Sequence, residues 1–246
     1  MIKMNHLPES IAFELSNRCN YSHIHNLCPN DFKAGPIYLD TKIVTEAVTY
    51  LGRTGLRPNI FLNIYNEPLI DPRLLWLVEY IHERSDCKIE IFTNGWALNQ
   101  HLFDELEEMR VIFTVSVYDV SEKERLSKIN GMMYPHKVQY IDLDPLVMQI
   151  YSNEPMNTGP CRFPSVYPMI NHLGQMVLCC RDYKWDVIIA DLNDISFEEA
   201  LQSEKRLRLC DELESGERVL DICKRCSFVG WGIHQREWDK WNMENP

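Results

Sequence analysis

The chain has no run of apolar residues long enough to span a bilayer. Its first residues, Met1-Ile2-Lys3-Met4-Asn5-His6, lack the apolar core of a signal peptide. The expectation is a cytoplasmic protein with no membrane partner, in a compartment where thiols stay reduced. Positive charge is also scarce: 25 Lys and Arg face 36 Asp and Glu, a net charge of −11 over 246 residues. That balance argues against a nucleic-acid partner held through its phosphates. Internal repeats and low-complexity tracts are missing too.

What is present is enough apolar material for a packed core, 45% of residues with six Trp and eleven Tyr. Nine cysteines accompany it, an odd number that suits metal ligation better than a set of disulfides. They fall into two groups. Cys19 and Cys28 bracket a loop with His23 and His25 between them, and Cys161, Cys179, Cys180, Cys210, Cys223 and Cys226 lie near the other end. Only Cys87 stands between the groups, and it and Cys210 read as packed thiols.

The first two thirds alternate strands and amphipathic helices. Strands are expected at Ile11–Leu15, Ile60–Tyr65, Lys88–Phe92, Val111–Val117, Val138–Leu143 and Leu146–Tyr151. Asp40 caps a helix through about Thr54, and Asp71-Pro72 opens one towards Arg84. Further helices are expected at Gln100–Met109 and from Ser121 to Ile129, the latter ended by Gly131. This pattern predicts an α/β fold, a partial (β/α)6 TIM-like barrel with its active edge at the strand C-termini. After Tyr151 the composition shifts. A linker over Asn153–Pro160 leads to a hairpin, Tyr167–Asn171 with Gln175–Leu178, then to a helix over Phe197–Leu209 and a Cys223-x-x-Cys226 knuckle. The division is therefore 1–151 and 152–246, the second unit too small to build a full core without a metal cross-link.

Cys223-x-x-Cys226 lets two thiolates meet one metal centre, with zinc or an iron–sulfur cluster both open. Adding Cys161, Gly174 and Cys179 gives Cys-x12-Gly-x4-Cys followed by Cys-x2-Cys, within Gly159-Pro160-Cys161-Arg162 and Gly174-Gln175-Met176-Val177-Leu178-Cys179-Cys180-Arg181-Asp182. Here the chain resembles radical S-adenosylmethionine enzymes with a SPASM-type auxiliary domain in its shortened twitch form. The resemblance implies one auxiliary 4Fe-4S cluster held by Cys161, Cys179, Cys223 and Cys226, with Cys180 the alternative to Cys179. A closed, structural zinc site is the competing reading.

In that family, Cys-x3-Cys-x2-Cys after the first strand holds a second cluster, which binds S-adenosylmethionine and cleaves it to a 5′-deoxyadenosyl radical. Glu14-Leu15-Ser16-Asn17-Arg18-Cys19-Asn20 and Cys28-Pro29-Asn30 resemble its two ends, but only two thiolates are present and the spacing is longer. Alignment from Cys28 puts His25 at the middle position, and alignment from Cys19 puts His23 there. An imidazole ligand raises the cluster potential, which opposes reduction of a sulfonium. Three outcomes are open: a working cluster on Cys19, His25 and Cys28, a poorly bound cluster, or histidines that are ordinary loop residues.

The resemblance also implies cofactor contacts. Asn66 and Glu67 lie in Tyr65-Asn66-Glu67-Pro68, which is similar to a Gly-Gly-Glu-Pro region that binds the methionine amino group. By the same resemblance Thr93-Asn94-Gly95 would face ribose or substrate, Ser116 would bond the ribose or carboxylate of the cofactor, and Leu27 would pack on adenine. Arg162 and Asp119 are candidates for contacting substrate, with a surface ion pair the plainer role for Arg162. The function implied is an oxidoreductase that takes hydrogen from a small polar, sugar- or cyclitol-like substrate, its auxiliary cluster accepting an electron. A flavodoxin or ferredoxin would serve as electron donor. A peptide-modifying maturase and a non-catalytic cluster- or zinc-binding relative are the alternatives.

Overall fold

The computed structural model describes residues 6–21, 35–118, 120–132, 136–140 and 159–226. The expected strands at Val138–Leu143 and Leu146–Tyr151 and most of the linker fall wholly or partly outside these residues. So do His23, His25, Leu27, Cys28 and Asp119, and the tryptophans beyond residue 226.

Eight strands form one open sheet in the order β5-β4-β3-β2-β1-β6-β7-β8. The first five are β1 (Ser10–Phe13), β2 (Asn59–Phe61), β3 (Ile89–Thr93), β4 (Ile112–Val117) and β5 (Lys137–Tyr140), all parallel to their neighbours. Helices α1 (Thr41–Thr54), α2 (Leu74–Arg84), α3 (Gln100–Glu108) and α4 (Val120–Leu126) follow the first four strands in turn. This is the right-handed βαβ repetition that the alternating pattern predicts.

Local chemistry accounts for these helices. The Asp40 carboxylate accepts the Lys42 amide at the start of α1, and Gly55 ends that helix in the left-handed region at φ 71°. Ile43, Val44, Ala47, Val48 and Leu51 form its buried stripe. Two expectations are corrected. Strand β2 ends at Phe61, before the expected Tyr65, because the Asn66 side chain accepts the Ile64 amide and folds the backbone into a turn. Asp71 accepts the Arg73 amide, and helix α2 starts only at Leu74.

The sixth parallel strand comes from the C-terminal region: β6 (Met169–Ile170) pairs with β1, Ala12 opposite Met169 and Phe13 opposite Ile170. Antiparallel strands β7 (Gln175–Val177) and β8 (Ile188–Asp191) then extend the sheet. Gly174 closes the β6–β7 hairpin at φ 84°, and a Cβ there would meet the Ile43 side chain at 2.7 Å. The expected helix over Phe197–Leu209 is two helices, α6 (Phe197–Gln202) and α7 (Glu204–Glu214), because Ser203 ends the first and its side chain caps the second. Short helices α5 (Phe163–Val166) and α8 (Asp221–Lys224) carry the flanks of Cys161 and the Cys223 knuckle.

The two faces of the sheet differ. Phe103 of α3 stacks on Phe113 of β4, whose partner across the sheet is Ile91, so this face packs under the helices. Glu90, Phe92, Ile112 and Ser116 alternate onto the other face and are only partly buried. The parallel strands thus present one face open enough to receive a ligand. No helix among the described residues is long and apolar enough to cross a membrane.

Candidate functional site: two thiol groups at opposite strand ends

Cys19 is buried just beyond the C-terminus of β1. The neck of its loop is closed by backbone bonds, Leu39 N–H to Leu15 O at 2.9 Å and Asn17 N–H to Ile37 O at 3.1 Å. Arg73 seals it from the side. Its guanidinium donates to Leu15 O at 2.8 Å and Leu39 O at 2.7 Å while paired through two nitrogens with Asp71. An Arg is suited to this because its fork reaches two carbonyls and a carboxylate at once.

Glu67 holds the residues flanking Cys19. Its amide donates to Arg18 O at 2.8 Å, and its carboxylate accepts Thr93 Oγ1 at 2.6 Å, Asn94 N at 2.8 Å and Leu69 N at 3.0 Å. Asn94 in turn donates its side-chain amide to Asn20 Oδ1 at 2.8 Å. Both carboxylate oxygens therefore serve the turn and the loop, the capping role that a carboxylate at a strand end can also take. Asn66 is buried and committed to Ile64 and Leu62. Ser116 lies at the C-terminal end of β4, partly exposed on the open face.

Burial raises the Glu67 carboxyl from the usual 4.5 to about 7, against the lowering effect of its Thr93, Asn94 and Leu69 donors. A folded-state value above the unfolded one means that the folded protein binds this proton more tightly. The resulting stability is fully present below about pH 4.5 and is lost as pH rises through about 7. A gap of that size corresponds to about 3 kcal/mol. In Glu67→Gln, urea midpoints measured from pH 5 to 8 are expected to lose this downward slope.

The second thiol group lies towards the other end of the same strands. Glu9, just before β1, donates its amide to Val166 O, and the chain from Cys161 to Val166 sits at that level. Cys161, Cys179, Cys223 and Cys226 line one small apolar pocket with Phe163, Leu178, Leu213 and Ile222. Four of the expected auxiliary ligands, far apart in sequence, thus share a wall. Cys180 is not part of that wall, although its thiol interacts electrostatically with Cys226 and Cys161. Burial raises four of these thiols: Cys179 well above its usual value, Cys223 to about 12, Cys180 to about 11, and Cys161 in the same direction. The repulsion between neighbouring thiolates adds to that rise for Cys223 and Cys179.

Two further residues shape this region, Asp182 beside the pocket and Arg218 in its wall. The Asp182 carboxylate accepts Asp186 N at 3.0 Å and Val187 N at 2.8 Å, shaping the turn after the adjacent cysteines. Arg218 donates Nε to Gly159 O at 2.9 Å, while its buried Nη2 has no hydrogen-bond partner among the described residues. Its positive charge lowers the Cys161 and Cys223 thiols, opposing their burial. A cationic nitrogen left unsatisfied beside four thiols fits an anionic occupant, and a thiolate-ligated iron–sulfur cluster is one. Among the described residues no group of three His, Cys, Asp or Glu is placed to share a single metal ion. Four thiols distributed around a pocket suit a group with several metal atoms, each taking one thiolate.

Arg162 does not face this pocket's interior. It forms an exposed ion pair with Glu9 at 3.2 Å, the plainer of the two roles expected for it. Between Cys19 and the pocket stand residues whose long-range partners the sequence does not show. Glu14 is fully buried and bonds His172 Nδ1 at 2.7 Å and the His172 amide at 3.2 Å, joining β1 to the β6–β7 hairpin. Tyr65 donates its amide to Glu14 at 3.3 Å, hydrogen-bonds its hydroxyl to Cys180 O and packs on Trp185. The bonds from Glu14 to His172 and from Tyr65 to Cys180 link positions more than a hundred residues apart, which no periodicity records.

The arrangement is that of an open α/β barrel bearing a cluster-binding domain. Residues 161–227 match the family model for SPASM, an iron–sulfur cluster-binding domain. The whole chain has the fold of radical S-adenosylmethionine enzymes. Among solved structures it is similar to BtrN in complex with AdoMet and 2-DOIA, with a TM-score of 0.77 and 23% identity over 92% of this chain and 95% of that one. It is also similar to anSMEcpe with bound AdoMet and Cp18Cys peptide, at TM-score 0.52 and 14% identity over 89% of this chain and 86% of that one. SuiB of Streptococcus suis bound to S-adenosylmethionine aligns at TM-score 0.51 and 10% identity, over 94% of this chain and 73% of that one. No curated protein sequence matches the chain.

Proposed function

We propose that this protein is a radical S-adenosylmethionine oxidoreductase acting on a small polar substrate. The observation that carries the reading is the placement of Cys19 and of the four-cysteine pocket wall at opposite ends of the parallel strands, with a partly exposed sheet face between them. Cys19, His25 and Cys28 would hold the first 4Fe-4S cluster, and Cys161, Cys179, Cys223 and Cys226 the auxiliary one. Together with S-adenosylmethionine these groups would supply a 5′-deoxyadenosyl radical and an electron acceptor for the oxidised substrate.

The chain's own residues set the geometry. Arg73 and Asp71 fix the neck of the Cys19 loop, and Glu67, Asn94 and Asn20 hold the backbone on either side of Cys19. Positioning of this kind removes orientational cost from the reacting state. Phe61, Phe92 and Tyr167, with centroids 5.3–5.6 Å apart, form an aromatic patch that excludes water from the centre of the open face. The small-molecule reading also draws on the likeness to BtrN, whose structure holds 2-DOIA. A peptide substrate is the second reading, favoured by the likeness to anSMEcpe with its bound peptide.

The test is anaerobic reconstitution, iron counting and product analysis. Two clusters are expected, with 5′-deoxyadenosine formed once a reductant and S-adenosylmethionine are added. Zinc alone, or one cluster with no cleavage, would overturn the reading. Deuterium transfer into 5′-deoxyadenosine from a labelled cyclitol, or from a labelled peptide, separates the two substrate classes.

A further inference from the structure

Glu90 lies at the middle of β3, in cross-strand register with Phe61 on one side and Ile112 on the other. It projects from the sheet face away from helix α3, since its neighbour Ile91 pairs with Phe113 under Phe103. Burial raises its carboxyl above the usual value, and the Lys137 and Lys88 charges only partly offset that. Glu90 is only partly buried and, unlike the fully buried carboxylates near the site, makes no hydrogen bond and no ion pair with the described residues. Glu14 is bonded to His172 and Tyr65, Glu67 to Thr93, Asn94 and Leu69, and Asp182 to Asp186 and Val187.

A partly buried carboxylate with no protein donor keeps only part of its hydration, so donors carried by a ligand on this face can replace the remaining water. Its surroundings resemble a site for a polyhydroxylated ring. Phe61 and Phe92 stack 5.6 Å apart beside it, and Phe61 contacts Tyr167 at 5.3 Å. Tyr167 and Lys137 both feel the Glu90 charge, which puts an aromatic wall and an ammonium group around the one carboxylate. Tyr167 also feels the Cys180 thiol, so this part of the open face adjoins the C-terminal thiol group.

We propose that Glu90 is the substrate-binding carboxylate of this face, accepting hydrogen bonds from a donor-rich substrate: a polyol or amino-polyol, not an anion. This rests on the small-molecule reading above and narrows it. A ring with apolar C–H faces and polar O–H or N–H edges meets Phe61 and Phe92 with the former and Glu90 with the latter. A phosphate or carboxylate group would face Glu90 with like charge and leave its missing donors unsupplied.

The role predicts opposite effects on stability and binding, which a structural carboxylate cannot give. Calorimetric binding would be measured on the reconstituted holoenzyme with S-adenosylmethionine, using 2-DOIA, scyllo-inositol and glucuronate as probes. In Glu90→Gln and Glu90→Leu, binding of the tightest polyol probe is expected to weaken about 10- to 100-fold, as loss of a charge-assisted hydrogen bond requires. Substrate-free Glu90→Leu is expected to melt about 2–4 °C higher than the wild type, since a desolvated charge is replaced by an apolar side chain. A lower Tm in Glu90→Leu, a change in Kd below threefold, tightest binding by glucuronate, or no polyol binding by the wild type each overturns the inference. If instead the wild type binds a polyol through Glu90 but forms no 5′-deoxyadenosine, the proposed activity fails and the binding role of Glu90 stands.

Discussion

Replacing Cys223 by Ser is expected to abolish the auxiliary centre and unfasten the region around it. The Cys223 thiol sits in the pocket wall with Cys161, Cys179 and Cys226, and burial together with the neighbouring thiols pushes it up to about 12. Those thiols give up their protons only when a metal takes their place, so the binding energy of the metal is also folding energy for this part of the chain. Structural metal sites in small domains are worth about 10–16 kcal/mol. Loss of even a quarter of that lowers Tm by about 10 °C in a chain of this size. The measurement is iron per chain together with amide exchange over 159–226. Iron is expected to fall by the content of one cluster, with protection lost around α5 and α8 and kept in β1 to β4. Wild-type iron content in Cys223→Ser would remove this cysteine from the ligand set. Cys87→Ser, remote from the pocket, is the matched control.

The second large effect is expected at Arg206. This guanidinium is completely buried on α7 and has no carboxylate partner in hydrogen-bond range among the described residues; its burial holds its pKa below the usual value. It donates instead to the backbone carbonyls of Leu201, His6, Pro164 and Ser165, at 2.7–3.2 Å. Leu201 ends α6, Pro164 and Ser165 lie in α5, and His6 precedes β1, so one side chain ties together three segments that share no backbone ladder. Arg206→Ala leaves those carbonyls in an apolar interior, at about 1–3 kcal/mol for each that stays unsatisfied. A loss of about 3–5 kcal/mol in urea unfolding follows, and Arg206→Lys is expected to recover less than half, because a single ammonium cannot span four acceptors. An unchanged midpoint in Arg206→Ala would show that water reaches these carbonyls.

Some of this architecture is legible in one dimension. The Asp40 cap, the buried stripe of α1, the left-handed Gly55 and the alternation of β3 depend on neighbours within a few residues. Local energetics alone specify such features. The Cys-x2-Cys knuckle and the hairpin that returns Cys179 are legible for the same reason. The Arg162 expectation shows the limit: its place beside Cys161 suggested a substrate contact, yet the direction of its side chain is set by Glu9, 153 positions away. Likewise Ser203 reads as one more polar residue within a helical pattern until the turn of the chain shows it ending α6 and starting α7.

Tertiary structure alone decided three further things. It placed β6 against β1, so that the C-terminal region continues the sheet of the first and does not merely sit beside it. It brought Arg218 to the thiol pocket with a nitrogen left over, and it committed both oxygens of Glu67 to the Cys19 side of the barrel. The sequence by itself determined the alternating strands and helices, the lack of a membrane span and the Cys223-x2-Cys226 knuckle, because hydrophobic period, capping and ligand spacing are short-range properties. Which polar groups are satisfied and which are left for a ligand is a property of long-range packing, since each partner lies on a different strand.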